Sequence, residues 1–321
     1  MVKAIRASKA GGLDVMSWDD VEVGAPPAGQ VRLRQTAIGV NFIDTYHRAG
    51  TYPGSVYPVV LGVEGAGVVE AVGDGVTTFR KGDRVCYALA RGSYAEERLI
   101  PETALMKIPD GVSDDEAAAG ITKGVTVHHL FTRVRPVQTG DFVLYHAAAG
   151  GVGLIACQWA KHIGARLIGT ASTDEKAKLA KAHGAAETIV YTRENFVDRV
   201  KAITEGAGVA LAIDGVGKST AKDSAKCLAT YGTLCTIGQA SGPSDLTIAD
   251  LPASTTFTKG SIATLVPRPA DLRVSAATFF DMVLRGAVKI DINHRFALKD
   301  AAKAHAALEG RQTTGSIILK P

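Results

Sequence analysis

The sequence predicts an α/β chain in two parts, a β-rich unit and a parallel sheet covered by helices on both faces. Three observations predict it. At 321 residues the chain is longer than one hydrophobic core usually serves. Its first third holds short strand-like runs broken by Gly and Pro. From Asp141 strand-like and helix-like runs alternate regularly.

In the first part, Val31-Arg32-Leu33-Arg34 alternates apolar and polar, as a half-buried strand does. The run from Val63 to Gly73 is a strand interrupted by glycines, which suggests bulges or close backbone approach. Residues 83–87 and 94–99 read as further strands of a small barrel-like unit. Ser113-x-x-Glu116 is a capping box that opens a helical stretch to about Arg133. Strands are then predicted at 142–145, 167–169, 188–191, 210–213 and 234–237, with a sixth at 261–265. Helices are predicted between them at 152–163, 173–182, 195–203 and 219–228. Such β-α-β alternation implies a parallel sheet. Helices at 271–285 and 298–308 and a strand at 316–319 follow, and the pattern returns them to the first domain.

Composition narrows the function. A net charge of +4 with no long Lys/Arg block argues against nucleic acid as a partner. No apolar run approaches a bilayer span, so no membrane partner is expected. The start MVKAIRASKAGG has no apolar signal core, which predicts a cytoplasmic protein. The four cysteines lack CxxC spacing and read as reduced, mostly buried thiols. Eight histidines show no H-x-x-x-H pair near a cysteine, so no metal ligand set is expected. His128 and His129 are adjacent on a helix and cannot chelate together; one surface and one cleft-lining histidine is the preferred reading.

The strongest chemical signal is Tyr145-His146-Ala147-Ala148-Ala149-Gly150-Gly151-Val152-Gly153, which follows an apolar strand and opens a helix. Ala148, Gly150 and Gly153 form an A-x-G-x-x-G version of the dinucleotide fingerprint. Gly150 lets backbone approach a pyrophosphate and Gly153 lets the helix pack on the sheet, while the helix N-terminus favours the phosphates. The next strand selects the cofactor. An NAD site places an acid about 20 residues past the first glycine, at the strand end. Here that place holds Ser172 and Thr173, and the missing acid points to NADPH. Ser172-x-x-Glu175 reads as a capping box, which turns Glu175 back on its helix. Lys176 is a candidate for a 2′-phosphate, with a solvated helix lysine as the rival reading. Tyr191, ending the third strand, is a candidate beside the adenine ribose. Gly217-Lys218-Ser219 ends like a P-loop, but position 212 is Ala, so it reads as another strand-to-helix turn.

The run Gly140-Asp141-x-x-Leu144-x-x-x-Ala148-Ala149-Gly150-Gly151-x-Gly153-x-x-x-x-Gln158-x-x-Lys161 resembles the quinone oxidoreductase/zeta-crystallin branch of the medium-chain dehydrogenases/reductases. So do Asn41-Phe42-Ile43-Asp44-Thr45-Tyr46, Gly82-Asp83-Arg84-Val85, Gly92-Ser93-Tyr94-Ala95-Glu96, Lys123-Gly124-x-Thr126 and Thr314-Gly315-Ser316. The resemblance implies a GroES-like catalytic domain over 1–122 and 266–321, a Rossmann domain over 123–265, and a homodimer. It implies reduction of quinones by NADPH, with reduction of the C=C bond of enones or 2-alkenals, or cofactor binding without catalysis, as alternatives. It extends cofactor contacts to Asn41, Thr126, Gly151, Val152 and Gly238. Zinc-dependent relatives carry Gly-His-Glu where this chain has Gly62-Val63-Glu64, and a cysteine that the segment 40–44 lacks.

Asn41, Tyr46 and Tyr52 are the candidate catalytic residues. Asn41 offers an amide to nicotinamide or substrate. The two tyrosines offer hydroxyls and flat faces to a ring, or they simply pack against the turn at Pro53-Gly54. The resemblance moves Asn41 and Tyr52 toward function. His129 falls where relatives place an aromatic residue.

Overall fold

Strands of the first third pair antiparallel in two sheets, and those from Phe142 to Lys259 form one parallel sheet, in a computed structural model that describes residues 1–52 and 54–321. Pro53, part of the predicted turn, lies outside the described residues. The chain clusters into two compact units. The first is Met1–Val125, Ala263–Leu284 and Ile290–Pro321, and the second is Thr126–Ile262 with Arg285–Lys289.

In the first unit the elements run β1 (Val2–Ala7), β2 (Met16–Val21), β3 (Gln30–Val40), α1 (Phe42–Ala49), β4 (Val59–Val60), β5 (Glu64–Val72), β6 (Arg84–Tyr87), β7 (Glu97–Pro101), β8 (Leu105–Lys107) and α2 (Asp114–His129), the division falling within α2. β3 is the organising strand. It pairs with β5 over most of its length and with β7 at its start, and its alternation buries Val31 and Leu33. With Val69, Val85, Tyr87, Ile100 and Leu105 these make one core, each large apolar side chain contributing about 1.5–3 kcal/mol by leaving water. The capping box at α2 forms as expected. Ser113 N–H donates to Glu116 Oε2 (2.9 Å) and Glu116 N–H donates to Ser113 Oγ (3.2 Å).

The second unit contains β9 (Phe142–Tyr145), α3 (Gly151–His162), β10 (Arg166–Ala171), α4 (Asp174–Ala182), β11 (Glu187–Val190), α5 (Phe196–Ile203), β12 (Val209–Asp214), α6 (Ala221–Ala225), β13 (Leu228–Thr236) and β14 (Thr256–Lys259). The sheet order is β11-β10-β9-β12-β13-β14, all parallel. That is the 3-2-1-4-5-6 order of the Rossmann fold.

Two expectations are corrected here. The sixth strand is Thr256–Lys259, whereas Ile262–Leu265 forms a short 3-10 helix. The helix expected over 219–228 shortens to five residues, because Leu228 already pairs with Val209 in β13.

The chain then adds α7 (Pro269–Leu284), β15 (Ile292–Ala297), α8 (Ala301–Glu309) and β16 (Ser316–Lys320). β16 pairs antiparallel with β3 (Ile317↔Val40) and parallel with β15. No helix among the described residues is long and apolar enough to cross a membrane. All four cysteines are buried, and burial pushes the Cys157, Cys227 and Cys235 thiols up to about 12.

Candidate functional site

In the second unit, parallel pairing puts the carboxyl ends of β9, β10, β12 and β13 on one edge of the sheet. The glycine-rich turn follows β9 at that edge, and Gly150 is the N-cap of α3. A Cβ on Gly153 would lie 2.5 Å from the Ala148 carbonyl oxygen, so glycine is required where the helix closes on the turn. The first N–H groups of α3 have no partner within the helix and face the turn with its positive dipole end. Gly238 lies just past β13, where a Cβ would stand 2.7 Å from Gly215 O. Thr126 is half-buried in α2.

The other predicted cofactor residues meet at the ends of β10 and β11. Ala171 pairs with Val190, and Tyr191 N–H donates to Ala171 O at 3.1 Å. Ser172 and Tyr191 are therefore neighbours just past the paired strands, and Thr192 Oγ1 donates to Ser172 O at 3.1 Å. Tyr191 is 41% exposed. The cap of α4 corrects the sequence reading. Thr173, not Ser172, is the N-cap, and its hydroxyl accepts the Lys176 N–H at 3.3 Å. Ser172 is thus released from capping. A cation missed in the sequence also lies here. Arg193 makes a bidentate pair with Asp174 (2.8 and 2.6 Å), which removes one acid from the face of α4's first turn.

In the first unit, Asn41 stands where β3 passes into α1, with Tyr46 on the helix and Tyr52 beyond it. Tyr46 lies 6.3 Å from the Phe42 ring, and Tyr52 meets His47 edge-on at 4.9 Å. Both tyrosines remain partly exposed. Asn41 Nδ2 donates to Glu64 Oε2 at 3.3 Å, and Asn41 and Asp44 form a reciprocal capping box at the start of α1, so the amide is held from two sides. Glu64 is fully buried. It also accepts from Thr122 N–H (3.2 Å) and pairs with buried Lys123 Nζ (3.1 Å). Gly39 makes room for this carboxylate, since a Cβ there would lie 2.1 Å from Glu64 Oε1.

A second buried chain holds α1. Asn41 N–H donates to Asp44 Oδ2 (2.8 Å), and Tyr94 Oη donates to the same oxygen (3.1 Å). Tyr94 Oη lies 3.0 Å from His305 Nε2, and His305 Nδ1 lies 3.0 Å from Arg48 Nη1. Arginine can only donate, so Nδ1 accepts and the proton of neutral His305 sits on Nε2, pointing at Tyr94. Burial holds His305 down to about 3, with Arg48 acting the same way. Burial pushes Asp44 up to about 7, against the pull of Asn41 N–H and Tyr94.

Sequence reasoning missed Glu64, Lys123, Asp44 and His305 as supports of the Asn41 segment. The available signal was charge inside apolar runs, as in Val63-Glu64-Gly65 and Ile121-Thr122-Lys123-Gly124. His128 and His129 are both half-buried, which corrects the expectation of one surface histidine. His128 packs against Trp159 at 6.0 Å, and burial lowers both imidazoles, with Arg133 adding to it.

The sheet order and the turn define a Rossmann-type dinucleotide fold joined to a β-rich partner. Residues 27–110 match the alcohol dehydrogenase GroES-like domain, and residues 151–276 match the zinc-binding dehydrogenase family. A quinone oxidoreductase of Pseudomonas aeruginosa is 45% identical over 325 residues, covering 100% of both chains. A 2-haloacrylate reductase of a Burkholderia species is 43% identical, covering 100% of this chain and 99% of the relative. The structure of Escherichia coli quinone oxidoreductase complexed with NADPH superposes with a TM-score of 0.96 at 37% identity, over 99% of this chain and 100% of that one. The chain belongs to the quinone oxidoreductase branch of the zinc-binding dehydrogenase family. The family description names zinc, but among the described residues no three His, Cys, Asp or Glu side chains gather to hold a metal ion. Val63 stands where zinc-dependent relatives carry histidine. The residues present do not fit a resident zinc.

Proposed function

We propose that this chain reduces quinones with NADPH. The observation that carries this reading is its full-length similarity to the Pseudomonas quinone oxidoreductase, with 45% identity over 100% of both chains. In this reading residues 123–265 bind the dinucleotide, and residues 1–122 with 266–321 receive the substrate. Ala148, Gly150, Gly151, Val152 and Gly153 hold the pyrophosphate, with Thr126 and Gly238 as further cofactor contacts. Ser172, Lys176 and Tyr191 hold the adenosine 2′-phosphate end. When bound, the reduced nicotinamide supplies a hydride. A quinone carries its own electron demand and needs less polarisation than a simple ketone. Asn41, held by Glu64, offers its amide to the nicotinamide amide or the substrate oxygen. Tyr46 and Tyr52 offer hydroxyls and ring faces to a flat substrate.

The test is NADPH oxidation measured with a panel of quinones, enones and aldehydes. Quinones are expected to turn over fastest, and failure with every quinone would overturn the reading. Asn41→Ala and Tyr52→Phe should keep most NADPH affinity and lose up to about a hundredfold in turnover, because misplacing a reacting ring by an ångström costs that much. Unchanged turnover in both variants would move the reacting centre elsewhere. The similarity to a 2-haloacrylate reductase favours reduction of an activated C=C bond as the second reading; faster turnover of enones than quinones would select it. The same proposal makes the active species a cytoplasmic homodimer.

A further inference from the structure

His146 is the last residue before the glycine-rich turn and is 4% exposed. Its backbone N–H donates to Ile213 O at 3.2 Å. Its Nδ1 lies 3.0 Å from Thr170 Oγ1, and its Nε2 lies 2.9 Å from Ser224 Oγ. Ser224 Oγ donates to Asp214 Oδ2 at 3.1 Å, and Thr220 Oγ1 donates to the same oxygen at 2.7 Å. The other oxygen, Asp214 Oδ1, accepts Val216 N–H (2.8 Å) and Gly217 N–H (2.9 Å).

The order of protons follows from the end of this chain. Ser224 Oγ also lies 2.9 Å from Thr220 O; a carboxylate and a carbonyl only accept, so the one hydroxyl proton of Ser224 goes to these and its lone pairs are left for His146 Nε2–H. Nδ1 is then the acceptor for Thr170 O–H. A neutral imidazole therefore satisfies both neighbours at once. Burial favours that neutral form, and Asp214 pulls the other way.

The next residue shows what the network restrains. Ala147 has φ +56°, a left-handed conformation that costs a non-glycine residue free energy unless its surroundings fix it. It is fixed on both sides. His146 is pinned to β10, β12 and α6, and Ala148 N–H donates to Thr170 O at 3.0 Å. Thr170 thus clamps the turn twice, once through its carbonyl and once through its hydroxyl.

We propose that His146 is a positioning residue for the dinucleotide pyrophosphate. It acts through the backbone of Ala147–Gly150 and joins that turn to the loop after β12 as one rigid piece. The proposal rests on the dinucleotide reading above. A packing role alone, against the Phe196 ring at 4.9 Å, would be served by any ring of similar size. It would not call for two buried polar partners, Thr170 and Ser224, with Asp214 behind Ser224, each at most 1% exposed.

The test compares two ligands by calorimetry. NADPH contains the pyrophosphate; adenosine 2′-monophosphate contains only the end held by the β10–β11 corner. His146→Phe keeps a ring and removes both side-chain bonds. Thr170→Val and Ser224→Ala each remove one bond and leave the imidazole in place. His146→Phe and Thr170→Val are expected to weaken NADPH about tenfold, the order of one or two lost hydrogen bonds, and to leave adenosine 2′-monophosphate unchanged. If His146→Phe does not fold, Thr170→Val and Ser224→Ala carry the comparison. Unaltered NADPH affinity in the folded variants would overturn the proposal. So would an equal loss for both ligands, which signals general loosening. Wild-type protein that bound neither ligand would instead overturn the dinucleotide reading beneath it.

Discussion

Lys123→Met should destabilise the first unit by about 3–5 kcal/mol, because it leaves the fully buried Glu64 carboxylate without its cation. The size can be worked from the geometry. Unit charges 3.1 Å apart attract by about 5 kcal/mol at an effective dielectric constant of about 20. Thr122 N–H and Asn41 Nδ2 still solvate the carboxylate, so the loss stays within the range seen when one partner of a buried pair is removed. Glu64→Gln strands the lysine in the same way. Glu64→Gln combined with Lys123→Met removes both charges and should cost at least about 2 kcal/mol less than the sum of the singles. Urea unfolding at neutral pH, followed by circular dichroism, gives all four corners of the cycle. A single variant within about 0.5 kcal/mol of wild type, or strict additivity in the double variant, would refute the argument that this pair is a coupled buried unit.

Three further outcomes are expected. Asp44 is raised from the ordinary carboxylate range to about 7, so the native state holds a proton that the unfolded state releases. Its stabilising effect is complete in acid, is lost as pH rises toward 7, and amounts to about 4 kcal/mol over that window. His47 and His305, held down to about 4 and 3, act with the opposite sign, so the measurement is the difference between wild type and Asp44→Asn at pH 5 and 8; a constant difference would refute it. Lys176→Ala should reduce the preference for NADPH over NADH about tenfold or more, the scale of a charge-assisted phosphate contact; equal binding of both cofactors by the wild type would overturn the Ser172–Lys176 reading. Among the described residues β14 has a strand on one side only and carries Phe257, 40% exposed; the proposed homodimer should sediment as such in the wild type and as a monomer in Phe257→Glu, and an unchanged mass would place the contact elsewhere.

The parallel sheet was legible because its strands are apolar runs bounded by glycine, and two of its helices, α4 and α5, carry their own caps at Thr173 and Asn195. Each element announces itself within about a dozen residues. The errors fall where long-range pairing decides. Thr256–Lys259 has little apolar character, and it becomes a strand by adding to the edge of β13. Residues 261–265 have the apolar content of a strand but turn into a short helix. Leu228 continues a helical pattern, yet parallel pairing with Val209 takes it into β13. The cofactor turn was readable for the same local reason as the sheet, since its glycines, strand and helix are contiguous. The pairing of Glu64 with Lys123 was not, because 59 residues separate them and neither half carries its partner's position.

What the sequence concealed shares one physical character. In the first unit, buried polar groups gather behind Asn41, as Glu64 with Lys123 and as Asp44 with Tyr94 and His305. In the second they gather behind Ala147, as His146 with Thr170, Ser224 and Asp214. Each such group costs free energy to desolvate, and an apolar core of the same volume would be at least as stable. A network of directional bonds gives what apolar packing does not, a single orientation for the backbone and amide in front of it. Both networks lie one residue or one hydrogen bond from a group assigned to cofactor or substrate. Asn41 receives its orientation from Glu64, and Ala147 its left-handed backbone from the anchoring of His146 and Ala148.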